Sequence, residues 1–366
     1  MNRLKLLALS STIILIALGV VLTLYYQHYR HHPMTKIPQK KEKFVLAFYY
    51  PWYGSRYGPT HAWRHWNHWR KNVITGEIIE WHNPDEIIRN DRRDIGAAHY
   101  PILGPYDSFD ENTIVTHFKW ARSAGIDVFI CSWWGVGSYE DLVFKKMLEI
   151  ATKYNYPIKL TIYYESVGLT RNRGPEEVAK DIMYIIKNYA SYDNFFKYNG
   201  SPVIFVYAVE VKPYFYWKAV IDKLRQYNMS CMLIADTTSE MYAKIFSGIH
   251  IYNPLSLLLS DPTGNLLNYT YEWMNNITKR NNLLFVATVL PGYNDTMVRY
   301  PGHVLNRDGG KTYNLTWKIA LVNKPDWIVI TSWNEWHEGS EIEPSLEYGY
   351  KYLNLTAYWV KKFKEG

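Results

Sequence analysis

The stretch Trp327–Tyr348, WIVITSWNEWHEGSEIEPSLEY, decides how the chain is read. Ile328, Val329, Ile330 and Thr331 are β-formers in a near-continuous apolar run, the pattern of a strand covered on both faces. Glu335, Glu338, Glu341, Glu343 and Glu347 follow, interleaved with Trp333, Trp336 and His337 and broken by Gly339 and Pro344. A buried parallel strand that runs into carboxylates and indole rings is what a sugar-cleaving site needs. The competing reading is an ordinary acidic loop, since exposed glutamate is the rule.

Working outward, seven more short apolar runs resemble this strand: Phe44–Tyr50, Val128–Trp134, Ile158–Glu165, Val203–Ala208, Met232–Asp236, Gly248–Tyr252 and Leu283–Val289. Amphipathic or polar helical segments lie between most of them, among them Thr113–Ala124, Tyr139–Tyr154, Pro175–Ala190, Tyr214–Tyr227 and Tyr269–Arg280. Eight strands alternating with helices predict an α/β protein, a (β/α)8 TIM barrel. A doubly wound open sheet is the alternative, but no GxGxxG or P-loop follows any strand. The segment Pro51–Asp127 is a long insertion with little periodicity before Thr113. After a barrel strand, such a loop builds a substrate cleft.

The 366 residues suit one large barrel with long loops. With 48% hydrophobic residues there is material for a core, and 17% aromatics, including 15 Trp and 33 Tyr, favour a ligand bound by stacking. Sugars and nucleic acids both qualify. The net charge of +7 does not favour nucleic acid, because residues 1–43 carry seven Lys and Arg against Glu42 and so hold +6 of it. The body is then close to neutral and shows no basic stripe. Cys131 and Cys231 lie in strand-like runs without metal spacing. Buried free thiols are expected, or one disulfide where the strand ends meet.

The run Leu6–Tyr26 carries no charge and is long enough to span a bilayer as a helix. A cleaved signal peptide is the alternative, with Ala17-Leu18-Gly19 as a weak cleavage site. The expectation is an anchor over residues 1–26, a basic stalk over 27–43 and a catalytic domain over 44–366. Lys and Arg are denser after the run than before it, which by charge alone places the body inside. Seven N-x-Ser/Thr sequons, at Asn199, Asn228, Asn268, Asn276, Asn294, Asn314 and Asn354, argue for the extracytoplasmic side, at the cell surface or in a lumen. The sequons are given the greater weight.

Polar and aromatic residues crowd the strand ends: Tyr49, Tyr50, Trp52 and Tyr53 after the first, Ser132, Trp133 and Trp134 after the second, Tyr163, Tyr164 and Glu165 after the third. Tyr252 and Asn253 end the sixth, Tyr293, Asn294 and Arg299 follow the seventh, and Asn334, Glu335 and Glu338 follow the eighth. In a barrel these converge on one face. Glycoside cleavage needs a proton donor at the leaving oxygen and a base or nucleophile at the sugar. Burial beside indole rings or a second carboxylate keeps one glutamate protonated. Glu335 and Glu338, three residues apart on a turn, fit that requirement.

FYYPWYG (Phe48–Gly54), RHWNH (Arg64–His68), YPILGPYDS (Tyr100–Ser108), SWWG (Ser132–Gly135), VLPGYNDTMVR (Val289–Arg299) and ITSWNEWHEGSEIEP (Ile330–Pro344) together resemble glycoside hydrolase family 99, the endo-α-1,2-mannosidases. The resemblance runs from Phe44 to Phe363 with the motifs in order. It implies a retaining, metal-independent enzyme with no cofactor that acts on a mannose-containing glycan. It implies Glu335 as the base that deprotonates the sugar 2-hydroxyl, giving a 1,2-anhydro sugar, and Glu338 as the acid/base at the glycosidic oxygen. Tyr50, Trp133, Glu165, Tyr252, Arg299 and Asn334 are implied as lining the subsite of the cleaved bond. Glu165 matches the bacterial form of its strand, and IHIYNPLS around Tyr252 departs from the family pattern.

Other features have milder readings. His61, His65 and His68 stand near helical spacing, but no carboxylate completes a metal site; His65 is expected on a sugar hydroxyl and the other two in packing. Trp63, Trp66 and Trp69 read as packing before stacking platforms. Asp236 either faces the site or caps a helix, and Arg299 either pairs with a glutamate or is a surface cation. Glu341, Glu343 and Glu347 read as loop polarity. Two rival functions remain: a carbohydrate-binding surface protein, disfavoured because a binder needs no proton donor, and a glycan-assembly transferase, which would require an activated donor. Oligomeric state is not legible.

Overall fold

The structure, a computed structural model, describes residues 42–366. Eight parallel strands form its centre: β1 (Phe44–Tyr49), β2 (Val128–Trp133), β3 (Lys159–Tyr164), β4 (Ser201–Val206), β5 (Met232–Asp236), β6 (Gly248–His250), β7 (Leu284–Val289) and β8 (Trp327–Ile330). Each pairs with the next, and β8 pairs back onto β1 with Phe44 opposite Trp327 and Ala47 opposite Ile330, so the sheet closes. The eight expected runs are the eight strands, and the fold is a (β/α)8 barrel.

Parity along each strand makes the two layers of the core. On β1, Leu46 and Phe48 point inward and pack with Val128, Ile130, Phe205, Ile234, Val286 and Val329. Val45, Ala47 and Tyr49 point outward to the helices, with Phe129, Cys131, Ile162 and Ile328. Fully apolar runs follow directly, because both faces of such a strand are covered. Trp327, Phe44, Phe196 and Tyr198 close the N-terminal end of the barrel, with ring centroids 5.1–5.8 Å apart around Trp327. The chain arrives at this end, where the Trp327 indole donates to the Glu42 carbonyl at 3.1 Å.

The outer ring is α1 (Glu111–Ser123), α2 (Tyr139–Lys153), α3 (Pro175–Tyr189), α4 (Tyr214–Gln226), α5 (Glu240–Ala243), α6 (Asn265–Asn281), α7 (Lys311–Val322) and α8 (Lys351–Glu365). Asp110 caps α1 by accepting from the Asn112 and Thr113 amides, and Ser138 caps α2 by accepting from that of Asp141. Between β5 and β6 only the single turn α5 fits. Both cysteines are buried and free.

The long insertion is more ordered than its composition suggests. Trp69–Asn72 and Ile78–Trp81 form an antiparallel hairpin, and Arg299–Tyr300 adds a parallel third strand. Together they stand on the rim at the C-terminal ends of the barrel strands. Among the described residues no helix is long and apolar enough to cross a membrane. The expected anchor, Leu6–Tyr26, and most of the stalk lie outside them.

Candidate active site

The eighth strand ends in a turn built by its own neighbours. The Trp333 amide donates to the Phe48 carbonyl at 2.7 Å, and the Glu335 amide to the Ser332 hydroxyl at 2.8 Å. Gly339 sits at φ +56°, and a Cβ there would meet the Asn294 carbonyl at 2.8 Å. Only glycine closes this turn against the β7 loop. Arg307, buried between the rings of Tyr348 and Tyr352, donates to the carbonyls of Gly339 and Glu341 and to the Glu341 carboxylate at 2.7–2.9 Å. Glu341, which also meets His99 at 2.9 Å, is therefore a buried structural anion rather than loop polarity. Glu343 is buried too, accepting from the Tyr106 hydroxyl and meeting His117, whereas Glu347 is exposed loop polarity as expected, where it meets Arg92 and accepts from the Tyr100 amide.

Glu335 and Glu338 line one cleft of about 490 Å3, which also presents Tyr50, Trp52, His65, Trp134, Glu165, Tyr207, Tyr252, Arg299 and His337. That size suits a small number of sugar rings. Glu335 is only 2% exposed. Burial pushes its carboxyl well above the usual range, the charge of Glu338 adds to this, and Arg299 opposes it. Burial also raises Glu338, but Arg299 at 3.4 Å and the Tyr252 hydroxyl at 3.2 Å favour its ionised form. One turn thus carries two carboxyls in different surroundings, as acid–base pairs require. Arg299 is held by Asp295 at 2.8 Å and the Tyr293 hydroxyl at 2.7 Å, so it is a pairing cation rather than a free surface one.

Glu165, across the cleft, accepts from the Ser132 hydroxyl at 2.6 Å, and Ser132 in turn accepts from the Trp134 indole at 3.0 Å. Burial pushes Glu165 up to about 8 despite that hydrogen bond. Asp236 neither faces the site nor caps a helix. It accepts from the Ala208 and Tyr252 amides at 3.0 Å each and so ties together the ends of β4 and β6. His65 stacks on Trp52 at 4.4 Å with planes 6° apart, and burial lowers it to about 3, so it stays neutral.

Two expected lining residues are elsewhere. Trp133 is fully buried on the helix side, where its indole donates to Asp141 at 2.7 Å; strand parity puts Trp134 in the cleft instead. Asn334 is also fully buried. Its side chain bonds the Tyr50 amide at 2.7 Å, the Tyr50 carbonyl at 3.0 Å and the Tyr106 hydroxyl at 3.0 Å, leaving little capacity for a ligand. It places Tyr50 rather than touching the cleft. Trp52, Trp134, Tyr207 and His337 line the cleft without having been singled out as binding residues. Trp52 and Trp134 carry a signal in the sequence as strand-end aromatics, and His337 carries one by standing between the two glutamates.

His61 is exposed, whereas His65 and His68 both reach the cleft. Among the described residues no group of His, Cys, Asp and Glu is arranged to hold a metal. Of the three tryptophans, Trp66 is buried against Tyr53 at 4.1 Å, Trp63 donates to Asp85, and Trp69 lines the cleft.

The sequence model of glycosyl hydrolase family 99 matches residues 40–365. The chain belongs to this family. It is accordingly a glycoside hydrolase. The mouse glycoprotein endo-alpha-1,2-mannosidase is 30% identical over 369 residues, covering 88% of this chain and 75% of that one. The human glycoprotein endo-alpha-1,2-mannosidase-like protein is 28% identical, covering 87% and 75%. Among solved structures, the family 99 endo-alpha-mannosidase of Bacteroides thetaiotaomicron superimposes with a TM-score of 0.75 at 27% identity, covering 88% of this chain and 97% of that one. Family membership and the barrel thus rest on independent comparisons.

Proposed function

We propose that this family 99 enzyme is a retaining, endo-acting α-mannosidase that hydrolyses α-1,2-mannosidic linkages within a glycan. The carrying observation is the turn that presents Glu335 and Glu338 to one cleft, with Arg299 and Tyr252 bound to Glu338. In the proposed route Glu335 takes the proton of the 2-hydroxyl, O2 attacks the anomeric carbon, and the bond to the leaving oxygen breaks as Glu338 protonates that oxygen. Water then gives a proton to Glu338 and attacks the same carbon, the O2–carbon bond breaks, and O2 recovers its proton from Glu335. Tyr50, His65, Glu165, Tyr252 and Arg299 are assigned to holding the sugar.

In the enzyme before sugar binds, the proton placement is the opposite one, since Arg299 and Tyr252 stabilise an ionised Glu338 while burial and the charge of Glu338 hold Glu335 towards its neutral form. A bound mannoside reverses this. Its 2-hydroxyl donates to Glu335 and favours the carboxylate, and its glycosidic oxygen accepts from Glu338 and favours the acid. A panel of α-mannans and N-glycans incubated with the full chain, with products read by mass and anomeric configuration, tests the reading. An α-anomer first formed from an α-1,2-linked substrate is expected. An initial β-anomer, or no product, would overturn it.

We also infer a membrane-anchored, extracytoplasmic enzyme, with residues 1–26 as anchor, 27–43 as stalk and 44–366 as catalytic domain. Four of the seven sequons, at Asn199, Asn228, Asn276 and Asn354, are exposed, which supports that side. Protease protection tests it: in sealed vesicles whose cytoplasmic face is outward, the body should be cleaved only after the membrane is opened, and cleavage without opening would reverse the orientation.

A further inference from the structure

A row of rings leaves the catalytic turn and runs out along the rim hairpin. His337, between the two glutamates, is 4.7 Å from the ring of His68; His68 is 4.6 Å from Trp69; and Trp69 is 5.2 Å from Trp81, its cross-strand partner. Trp69, Lys71 and Val73 line the cleft, while Trp81 stands one strand further out at 60% exposure. The other face of the hairpin is committed differently: Arg70 lies 3.9 Å from Glu80 and over the Tyr300 ring. Ile79 alternates onto the same side as Trp81 and is 48% exposed. A tryptophan left this open on a short edge strand buries little area for the fold, and a large exposed apolar shelf marks a binding surface.

We propose that Trp69 and Trp81 form an outer sugar-binding shelf, which stacks hexose residues of the same glycan remote from the bond cleaved. The inference rests on the mannosidase reading and extends it to substrate length. Continuity with the cleft selects the occupant: a chain whose cleaved residue sits between Glu335 and Glu338 can leave only along the cleft walls, and this wall is paved with rings. The C–H face of a hexose packs on an indole, while the neighbouring Lys71 and His68 offer polar groups to its hydroxyls. A chain threaded this way is held on several rings, so the shelf favours long or branched α-mannans over short oligosaccharides.

The test compares the full chain with Trp81→Ala and Trp81→Leu on polymeric α-mannan and on an α-mannotetraose, together with retention in native gels containing mannan. Each lost stacking contact is expected to lower the ratio of kcat/KM for polymer over tetrasaccharide about three- to ten-fold, with retention weakened in parallel and Tm unchanged. Leucine keeps apolar bulk without a ring face and should behave like alanine. An unchanged ratio overturns the shelf. So does equal loss on both substrates, a wild-type-like leucine variant, or a wild-type dimer that Trp81→Ala converts to monomer, which would make the edge strand a subunit contact. If the wild type cleaves neither substrate, the mannosidase reading falls and the gel decides alone: mannan retention lost in Trp81→Ala supports the shelf, and no retention by the wild type removes it.

Discussion

The hydroxyl of Tyr252 donates to the Glu338 carboxylate at 3.2 Å while accepting from the Tyr50 hydroxyl at 2.5 Å. A phenol just after β6 and another just after β1 are thereby linked to the turn after β8, so three parts of the barrel set the state of one carboxyl. A hydrogen bond given to a carboxylate favours its ionised form. In Tyr252→Phe, Glu338 should hold its proton to higher pH. The upper limb of the kcat profile, which reports the sugar-bound state where Glu338 is the acid, is expected to move up by about one pH unit, with kcat falling about ten-fold at the optimum. A limb that stays in place would mean that Tyr252 acts on the sugar and not on Glu338.

The two glutamates should be separable by leaving group. Glu335→Gln and Glu338→Gln are each expected to lower kcat by roughly 100- to 10,000-fold on a glycan. An aryl mannoside whose leaving group departs without a proton should recover much of the first-step rate in Glu338→Gln and none in Glu335→Gln. Stopped-flow release of the aryl group reads that step directly. Recovery in both variants, or in neither, would contradict the assignment of acid and base.

Barrel and site were legible to different depths. All eight strands announce themselves because a strand buried on both faces must be apolar throughout, and Ile328–Ile330 or Val128–Cys131 have no other way to be so. The convergence of Glu335, Glu338, Glu165 and Arg299 followed from the barrel alone, since its strand ends meet on one face. What failed was parity at a strand end. Trp133 and Trp134 are adjacent and chemically identical, and only the inward or outward phase of β2 separates them. Asn334 failed for another reason: its amide is consumed by the main chain of Tyr50, which is 284 residues away in sequence. The buried pair of Arg307 and Glu341 was invisible likewise, because an ion pair between loops has no local spacing.

That parity carries its own expectation. The Trp133 indole donates to Asp141, which also accepts from the Tyr184 and Tyr189 hydroxyls. Trp133→Phe should cost about 1–3 kcal/mol of stability and leave KM for the glycan unchanged. Trp134→Ala, in the cleft, should do the reverse, raising KM about ten-fold with little change in Tm. Denaturation midpoints and KM measured side by side settle the pair. A KM effect confined to Trp133 would restore the original placement of that residue in the subsite.

Glu165 should leave a signature in stability against pH. Its carboxyl is ordinary in the unfolded chain, with a value near 4.5, and is pushed up to about 8 by burial in the fold. Between those values the folded state binds the extra proton, so this group's stabilising effect is complete below the lower value and is lost as pH rises through the upper one. Where the difference is one full proton, stability falls by about 1.4 kcal/mol per pH unit. Glu165→Gln keeps an acceptor for Ser132 and cannot ionise, so it should remove that slope. Other carboxyls titrate in the same range, notably Asp236, which burial raises to about 6, so the observable is the difference between the two proteins. Urea midpoints from pH 5 to pH 9 should show the variant gaining on the wild type as pH rises, with the largest advantage above pH 8. Parallel curves would mean that Glu165 is already ionised in the fold, and its hydrogen bond from Ser132 would then outweigh its burial.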